Sequence, residues 1–235
     1  MMKYSVTAPF SPRKRRKRGG TSFGSERVRG SNRNVMSLRY FGGIVALLML
    51  LTACNANPTP TAESAMPSGG VVIDPARPVA DAMLTDQSGK PMHLNDLRGR
   101  VSLVFFGYTN CPDACPITVS DWTRVKKALG ADADKTAFVF ISVDPKRDTP
   151  EQLTNFMSAF DKSFIGLTAD TATVQKVAND VGVVFTEPDD KGIVGHSSSA
   201  FLLDSDLKAR VDYPLGTRPA AIAADIQAML KNGGK

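Results

Sequence analysis

Cysteine is scarce in this chain, with three in 235 residues. That is too few for a disulfide scaffold. Histidine is scarcer still, with two. Any imidazole chemistry therefore falls to His93 or His196. The apolar stretch at residues 41–53, FGGIVALLMLLTA, runs for only 13 residues. A membrane-spanning helix needs about 20. Basic residues are short where a nucleic-acid-binding face would need them. Residues 1–53 carry 11 basic residues and one acid, a net of +10, while residues 54–235 carry 18 and 22, a net of −4. The overall +6 thus belongs to the N-terminal segment. No nucleic-acid partner is expected, because such a partner needs cations clustered on a folded surface.

What is present divides the chain. Residues 3–39 are rich in Arg, Lys, Ser and Gly without apolar periodicity and read as disordered. The 13-residue stretch suits a signal-peptide core. It ends in Leu51-Thr52-Ala53-Cys54, which resembles the lipobox of bacterial lipoproteins. The resemblance implies that Cys54 is acylated and becomes the first mature residue. A plain apolar anchor that happens to end at a cysteine is the alternative. Met36 followed by Ser-Leu-Arg and the apolar core forms a complete short signal peptide, so the true start is read there, with a long basic n-region before the core as the alternative. Residues 54–70, rich in Pro, Ala, Ser and Thr, read as the lipidated cysteine and a flexible tether. Residues 71–235 then form one domain, held at the membrane of a bacterial cell envelope on its periplasmic or extracytoplasmic side.

Within that domain, residues 101–106 and 137–143 are continuous apolar runs and predict buried strands. Val119, Trp122, Val125 and Leu129 recur at helical spacing before Gly130. Asp148-Thr-Pro-Glu151 predicts a capped helix start, with the helix running to Phe160. A short strand at 164–167 and a helix at 169–181 follow. Segments 198–203 and 209–213 predict an antiparallel strand pair, and 219–231 a final helix. An extra piece at about 78–99 precedes the first core strand. The order is that of an α/β thioredoxin-like fold, a central mixed sheet flanked by helices.

The chemistry concentrates on Cys111 and Cys115. Four apart at a helix start, they are expected to share a face, where the helix dipole favours thiolates. Two such thiolates make either a redox couple or a soft-metal clamp. Cys-x3-Cys, one residue wider than the usual redox spacing, leans toward metal. His196, in a loop entering the strand at 198–203, is expected to face the same helix start, where it could supply a third ligand; a loop histidine with no role is the alternative. Two thiolates and an imidazole form a trigonal set suited to Cu(I). His93 reads as structural or solvent-exposed. Asp113, Asp189 and Asp190 read as solvated loop acids.

Three blocks in order, FGYTNCPDACP at 106–116, SVDPKRDTP at 142–150 and GHS at 195–197, resemble the Sco/SenC family over about residues 75–232. The resemblance implies a thioredoxin-like copper chaperone for cytochrome c oxidase assembly. Its copper ion would be held by Cys111, Cys115 and His196, with Asp144 near the site, in a second shell or at a partner surface. The implied recipient is cytochrome c oxidase subunit II, with another copper carrier or a thiol reductant as a further partner. The residues alone leave Asp144 equally readable as a cap for the next segment. Two departures stand out: Gly195 replaces a frequent Asp, and Ser205-Asp206-Leu207 replaces a frequent Pro-Asp-Gly turn. A thiol–disulfide oxidoreductase that keeps the oxidase's copper-ligand cysteines reduced is the alternative function, with Cys111 and Cys115 as its redox pair. A thiol peroxidase is less favoured, because only Arg147 could lower a cysteine pKa there.

Overall fold

The computed structural model describes residues 69–235. The basic segment, the apolar stretch, Met36, Cys54 and all but two residues of the expected tether lie outside the described residues.

The centre of the fold follows from the two apolar runs. Strands β4 (Val101–Gly107) and β5 (Thr136–Ser142) pair in parallel, and every residue of both is buried. The run lengths demand this, because both faces of such a strand must be covered. Four helices supply cover: α1 (Ala114–Leu129), α2 (Pro150–Ser158), α3 (Thr171–Val181) and α4 (Pro219–Lys231). On α1 the predicted Val119, Trp122, Val125 and Leu129 are all buried. Trp122 is plain core, edge-on to Phe164 at 5.6 Å and tilted against Phe138 at 5.8 Å. Phe156 of α2 meets Phe140 at 5.5 Å. On the opposite face, Val177 and Val181 of α3 line one apolar cavity with Val104, Phe106 and Ile141. Each fully buried side chain of this size contributes roughly 1.5–3 kcal/mol. β6 (Ile165–Thr168) extends the parallel set, while β7 (Ala200–Leu203) and β8 (Lys208–Tyr213) form the predicted antiparallel pair against β4. The result is the expected thioredoxin-like α/β architecture. None of the helices among the described residues is long and apolar enough to cross a membrane.

Three strands depart from the expected single piece at 78–99. β1 (Val71–Pro78) pairs with β8 at one edge, and the hairpin of β2 (Met83–Asp86) and β3 (Pro91–His93) pairs with β6 at the other. The sheet order is β1-β8-β7-β4-β5-β6-β2-β3. These strands are short or largely exposed and show no clean alternation, and β1 carries prolines that only an edge tolerates. The domain also claims Gly69 and Gly70. Gly69 N–H donates to the buried Asp225 at 3.0 Å. A Cβ on Gly69 would sit 2.5 Å from Ala221 Cβ, and one on Gly70 2.4 Å from the Asp212 carbonyl.

One local expectation is corrected. Thr149 and not Asp148 caps α2, accepting from Gln152 N–H at 3.3 Å, with Pro150 opening the helix. Asp148 is buried and employed elsewhere. In the β7–β8 turn, Leu207 takes φ 59°, a left-handed conformation that glycine accepts more readily. Burial of its side chain and the Asp204 carboxylate, which accepts from the N–H groups of Asp206 and Lys208 at 2.9 Å, hold it there.

Candidate metal centre

Strand register carries the three ligand candidates to one end of the sheet. β4 ends at Gly107, which leads directly into the cysteine turn. Phe105 of β4 stands opposite Ala200 of β7, and His196 lies four residues before Ala200. The loop bearing His196 folds back on itself: Phe185 and His196 form an isolated bridge, and Thr186 N–H donates to the Gly195 carbonyl at 2.8 Å.

The cysteines do not both sit on the helix. α1 begins at Ala114, because Asp113 has non-helical dihedrals (φ −143°, ψ −79°), so Cys111 lies in the preceding turn and Cys115 in the first helical turn. Their sulfurs nevertheless converge. Cys115 N–H points at Cys111 Sγ at 3.4 Å. The ligand atoms of Cys111, Cys115 and His196 all lie within 4.8 Å of one another, and Cys115 Sγ is 3.8 Å from His196 Nε2. A three-coordinate ion with bonds of roughly 2.0–2.3 Å holds its donors about 3.7–4.0 Å apart. The cluster therefore needs to close by about 1 Å at most, and its Cys115–His196 edge is already at that spacing.

The imidazole is oriented for this. His196 Nδ1 lies 2.9 Å from the Ser197 carbonyl, which can only accept. Nδ1 thus carries the proton, and the Nε2 lone pair faces the sulfurs. Burial holds the His196 pKa below its ordinary value, against the Ser197 contact, so the neutral form needed for ligation is favoured. Phe105 and Tyr108 meet the ring edge-on at 5.9 and 5.8 Å. For Cys115 the expectation of a thiolate stabilised by the helix start is overturned. Burial pushes this thiol well above its ordinary range, opposed by the Tyr108 N–H and reinforced by the nearby Cys111 sulfur. Its deprotonation falls to the arriving cation.

The turn at 144–148 frames the site. The Asp148 carboxylate accepts from Thr109 N–H at 3.0 Å, Thr109 hydroxyl at 2.6 Å and Ser142 hydroxyl at 2.6 Å, which fixes the approach to the cysteines. Burial pushes the Asp148 carboxyl pKa up, and the Ser142 and Thr109 hydrogen bonds oppose it. Asp144 is 2% exposed and is paired with the Arg147 Nε–H; it belongs to no cluster of metal-ligand atoms. Arg147 in turn donates to the Gly192 carbonyl at 2.7 Å and lies over the Tyr108 ring, 5.8 Å from its centroid. In sequence Asp148 reads as part of a helix start and Arg147 only as a candidate cysteine activator, so neither contact role is visible there. Their spacing on one tight turn was visible, but the loop that each reaches is distant in sequence. His93 pairs with Asp81 at 3.1 Å on the exposed surface and takes no part in the cluster.

The fold and these side chains define a class: a thioredoxin-like domain whose cysteine turn and a distant histidine form a soft-ion cluster. Comparison with known proteins gives the family. The SCO1/SenC family profile matches residues 74–231, and the chain belongs to that family. It is 33% identical over 147 residues to the SCO2-like protein of Rickettsia felis, an alignment covering 60% of this chain and 72% of that one. The copper-bound structure of Bradyrhizobium japonicum ScoI superposes with a TM-score of 0.59 at 38% identity, covering 64% of this chain and 98% of that one. Copper-bound yeast Sco1 superposes with a TM-score of 0.61 at 25% identity, covering 66% and 89%.

Proposed function

We propose that this chain is a copper metallochaperone that loads copper on Cys111, Cys115 and His196 and delivers it to the copper site of cytochrome c oxidase subunit II. The observation that carries the proposal is the convergence of two thiols and one correctly oriented imidazole within 4.8 Å. Soft sulfur donors with one nitrogen select Cu(I) over hard cations. Loading displaces a proton from each thiol, so affinity falls in acid, and the buried Cys115 thiol, which resists ionisation, lowers the affinity without changing that slope. Cys111 is only half-buried while Cys115 is fully buried. An incoming thiolate of the recipient therefore reaches the metal from the Cys111 side, and copper leaves by stepwise ligand exchange.

The attachment supports a membrane-bound recipient. Tyr213 stands opposite Ala200, and a Cβ on Gly70 would lie 2.6 Å from the Tyr213 ring. The chain therefore enters the domain at the end of the sheet that bears the cluster. Fourteen residues, 55–68, separate Gly69 from Cys54. Fully extended, they span about 50 Å. With Cys54 lipidated on the extracytoplasmic side, Gly69 would stay within that reach of the membrane.

The test is Cu(I) titration of the reduced chain against a competing chelator. One equivalent binds the wild type, Cys111→Ser and Cys115→Ser lose tight binding, and His196→Ala weakens it, most clearly for Cu(II). If Cys111→Ser binds as tightly as wild type, the site is wrongly assigned. One observation favours a second reading: both sulfurs are free, adjacent and reachable through Cys111. A thiol–disulfide oxidoreductase acting on the oxidase's copper-ligand cysteines would form a mixed disulfide through Cys111, be released as the Cys111–Cys115 disulfide, and turn over with a thiol reductant and without His196.

A further inference from the structure

Arg147 touches both halves of the cluster's support through a buried carboxylate on one side and a backbone carbonyl on the other. On its own turn it is paired with Asp144, whose side chain is 2% exposed. Across the loop its Nη2 donates to the Gly192 carbonyl at 2.7 Å, four residues before His196. Its guanidinium also covers Tyr108, whose ring abuts His196 edge-on at 5.8 Å. Gly192 is shaped for this contact. Its φ is +76°, and a Cβ there would stand 2.6 Å from Arg147 Nη1. The loop between Thr186 and Gly195 is otherwise anchored by the buried Val194 side chain and by a hydrogen bond between the Tyr108 phenol and the Val194 backbone, both on the His196 side of Gly192. Asp189 organises it internally, accepting from the N–H groups of Lys191 and Ile193 at 2.9 and 2.8 Å. Lys146 and Glu187 add only an exposed pair. A planar fork can hold two acceptors at fixed angles, which a lysine cannot.

We infer that Arg147 is a positioning residue for the metal site: it ties the histidine loop to the turn that fixes the cysteines and so holds His196 at ligating distance. The inference rests on the copper-binding reading. The test is a double-mutant cycle on the full chain. Asp144→Asn and Arg147→Leu are introduced together, so that no buried carboxylate is left without its partner. Cu(I) affinity is then measured with His196 present and with His196→Ala. Outer-shell partners of metal ligands are commonly worth 10–100-fold in affinity. The pair is expected to weaken binding about tenfold when His196 is present and to have no further effect when it is absent. An equal loss in both backgrounds would overturn the inference, because Arg147 would then act through the thiols or through the fold at large. A metal-free measurement accompanies it. Amide hydrogen exchange across residues 186–197 should quicken at least tenfold in the paired variant while residues 101–107 and 136–142 stay protected. Unchanged exchange in the loop overturns the positioning role. If the wild type takes up no Cu(I), the metallochaperone reading fails by itself, and the exchange measurement still decides the role of Arg147.

Discussion

The cysteine arm of the site, residues 107–115, hangs from a buried carboxylate, whereas the histidine arm, residues 184–197, is pinned by the buried Val194 and by a guanidinium that is 35% exposed. Asp148 grips the first arm through backbone and hydroxyl donors in a water-excluded setting. Val184 and Ile193 of the second arm stand 68% and 41% exposed. Firmly bonded segments open rarely, and lightly bonded exposed ones open often. The contrast suits a carrier. In a chaperone of the proposed kind, two sulfurs would wait in fixed positions, and the third ligand would sit on the segment with more exposed apolar side chains.

The largest effect should come from the firm arm. Asp148→Ala leaves three donors, two of them from Thr109, without their acceptor. Each buried unsatisfied group costs about 1–3 kcal/mol. A total loss of about 3–5 kcal/mol is expected in urea denaturation, with Asp148→Asn milder because its amide oxygen still accepts. The second effect is on the yielding arm. Gly192→Ala must adopt a left-handed conformation and displace the Arg147 guanidinium. It should cost about 1–2 kcal/mol. If Gly192→Ala proves the costlier of the two, the assignment of firm and yielding arms is reversed.

A third comparison uses pH. Burial lowers the folded-state pKa of His196, so between that value and the unfolded value of roughly 6.5 the unfolded chain binds more protons. Stability from this residue is therefore present above about pH 6.5 and lost as pH falls through that window. Asp148 has its pKa raised, which contributes the opposite slope, so the wild-type curve alone is ambiguous. The difference between wild type and His196→Ala isolates the histidine. That difference should shrink as the metal-free proteins are taken from pH 7 to pH 5. A constant difference would mean that His196 is not held neutral by its surroundings.

How far the residues announced this arrangement depends on what kind of contact makes each part. The β4 and β5 runs and the α1 stripe of Val119, Trp122, Val125 and Leu129 are local periodicities, and local periodicity is what a sequence displays directly. The three ligand candidates that the structure brings together were legible because cysteine and histidine are so few that there was little choice. β1, β2 and β3 were not, because an edge strand needs only one partner and carries no long apolar run. Asp148 was misread for a different reason. An Asp before Thr-Pro-Glu is locally indistinguishable from a helix cap, and the acceptor role toward Thr109 spans 39 residues. The short form of Asp148's story is that a cap and a clamp use the same side chain, and only the tertiary fold chooses between them. The departure at Gly195 resolves similarly. A Cβ there would come within 3.2 Å of Thr186 Oγ1, the atom that accepts the Gly195 N–H.

The smallest predicted effect isolates why Arg147 matters. Lys146 stands beside Arg147 on the same turn and also reaches the histidine arm, pairing with Glu187 at 3.0 Å. Its side chain is 74% exposed and that of Glu187 is 63% exposed. Exposed pairs of this kind are worth about 0.2–1 kcal/mol and are screened by salt. Lys146→Ala should therefore change stability by less than about 0.5 kcal/mol. It should leave Cu(I) affinity and hydrogen exchange across residues 186–197 as they are in wild type. Two cations bridging the same two segments would then differ in effect because one is a fork held against a buried carboxylate and a carbonyl, and the other is a solvated charge. Should Lys146→Ala loosen the loop as much as loss of Arg147 does, net charge and not the geometry of the fork would be what holds the arm, and raising the ionic strength of the wild type would reproduce the effect.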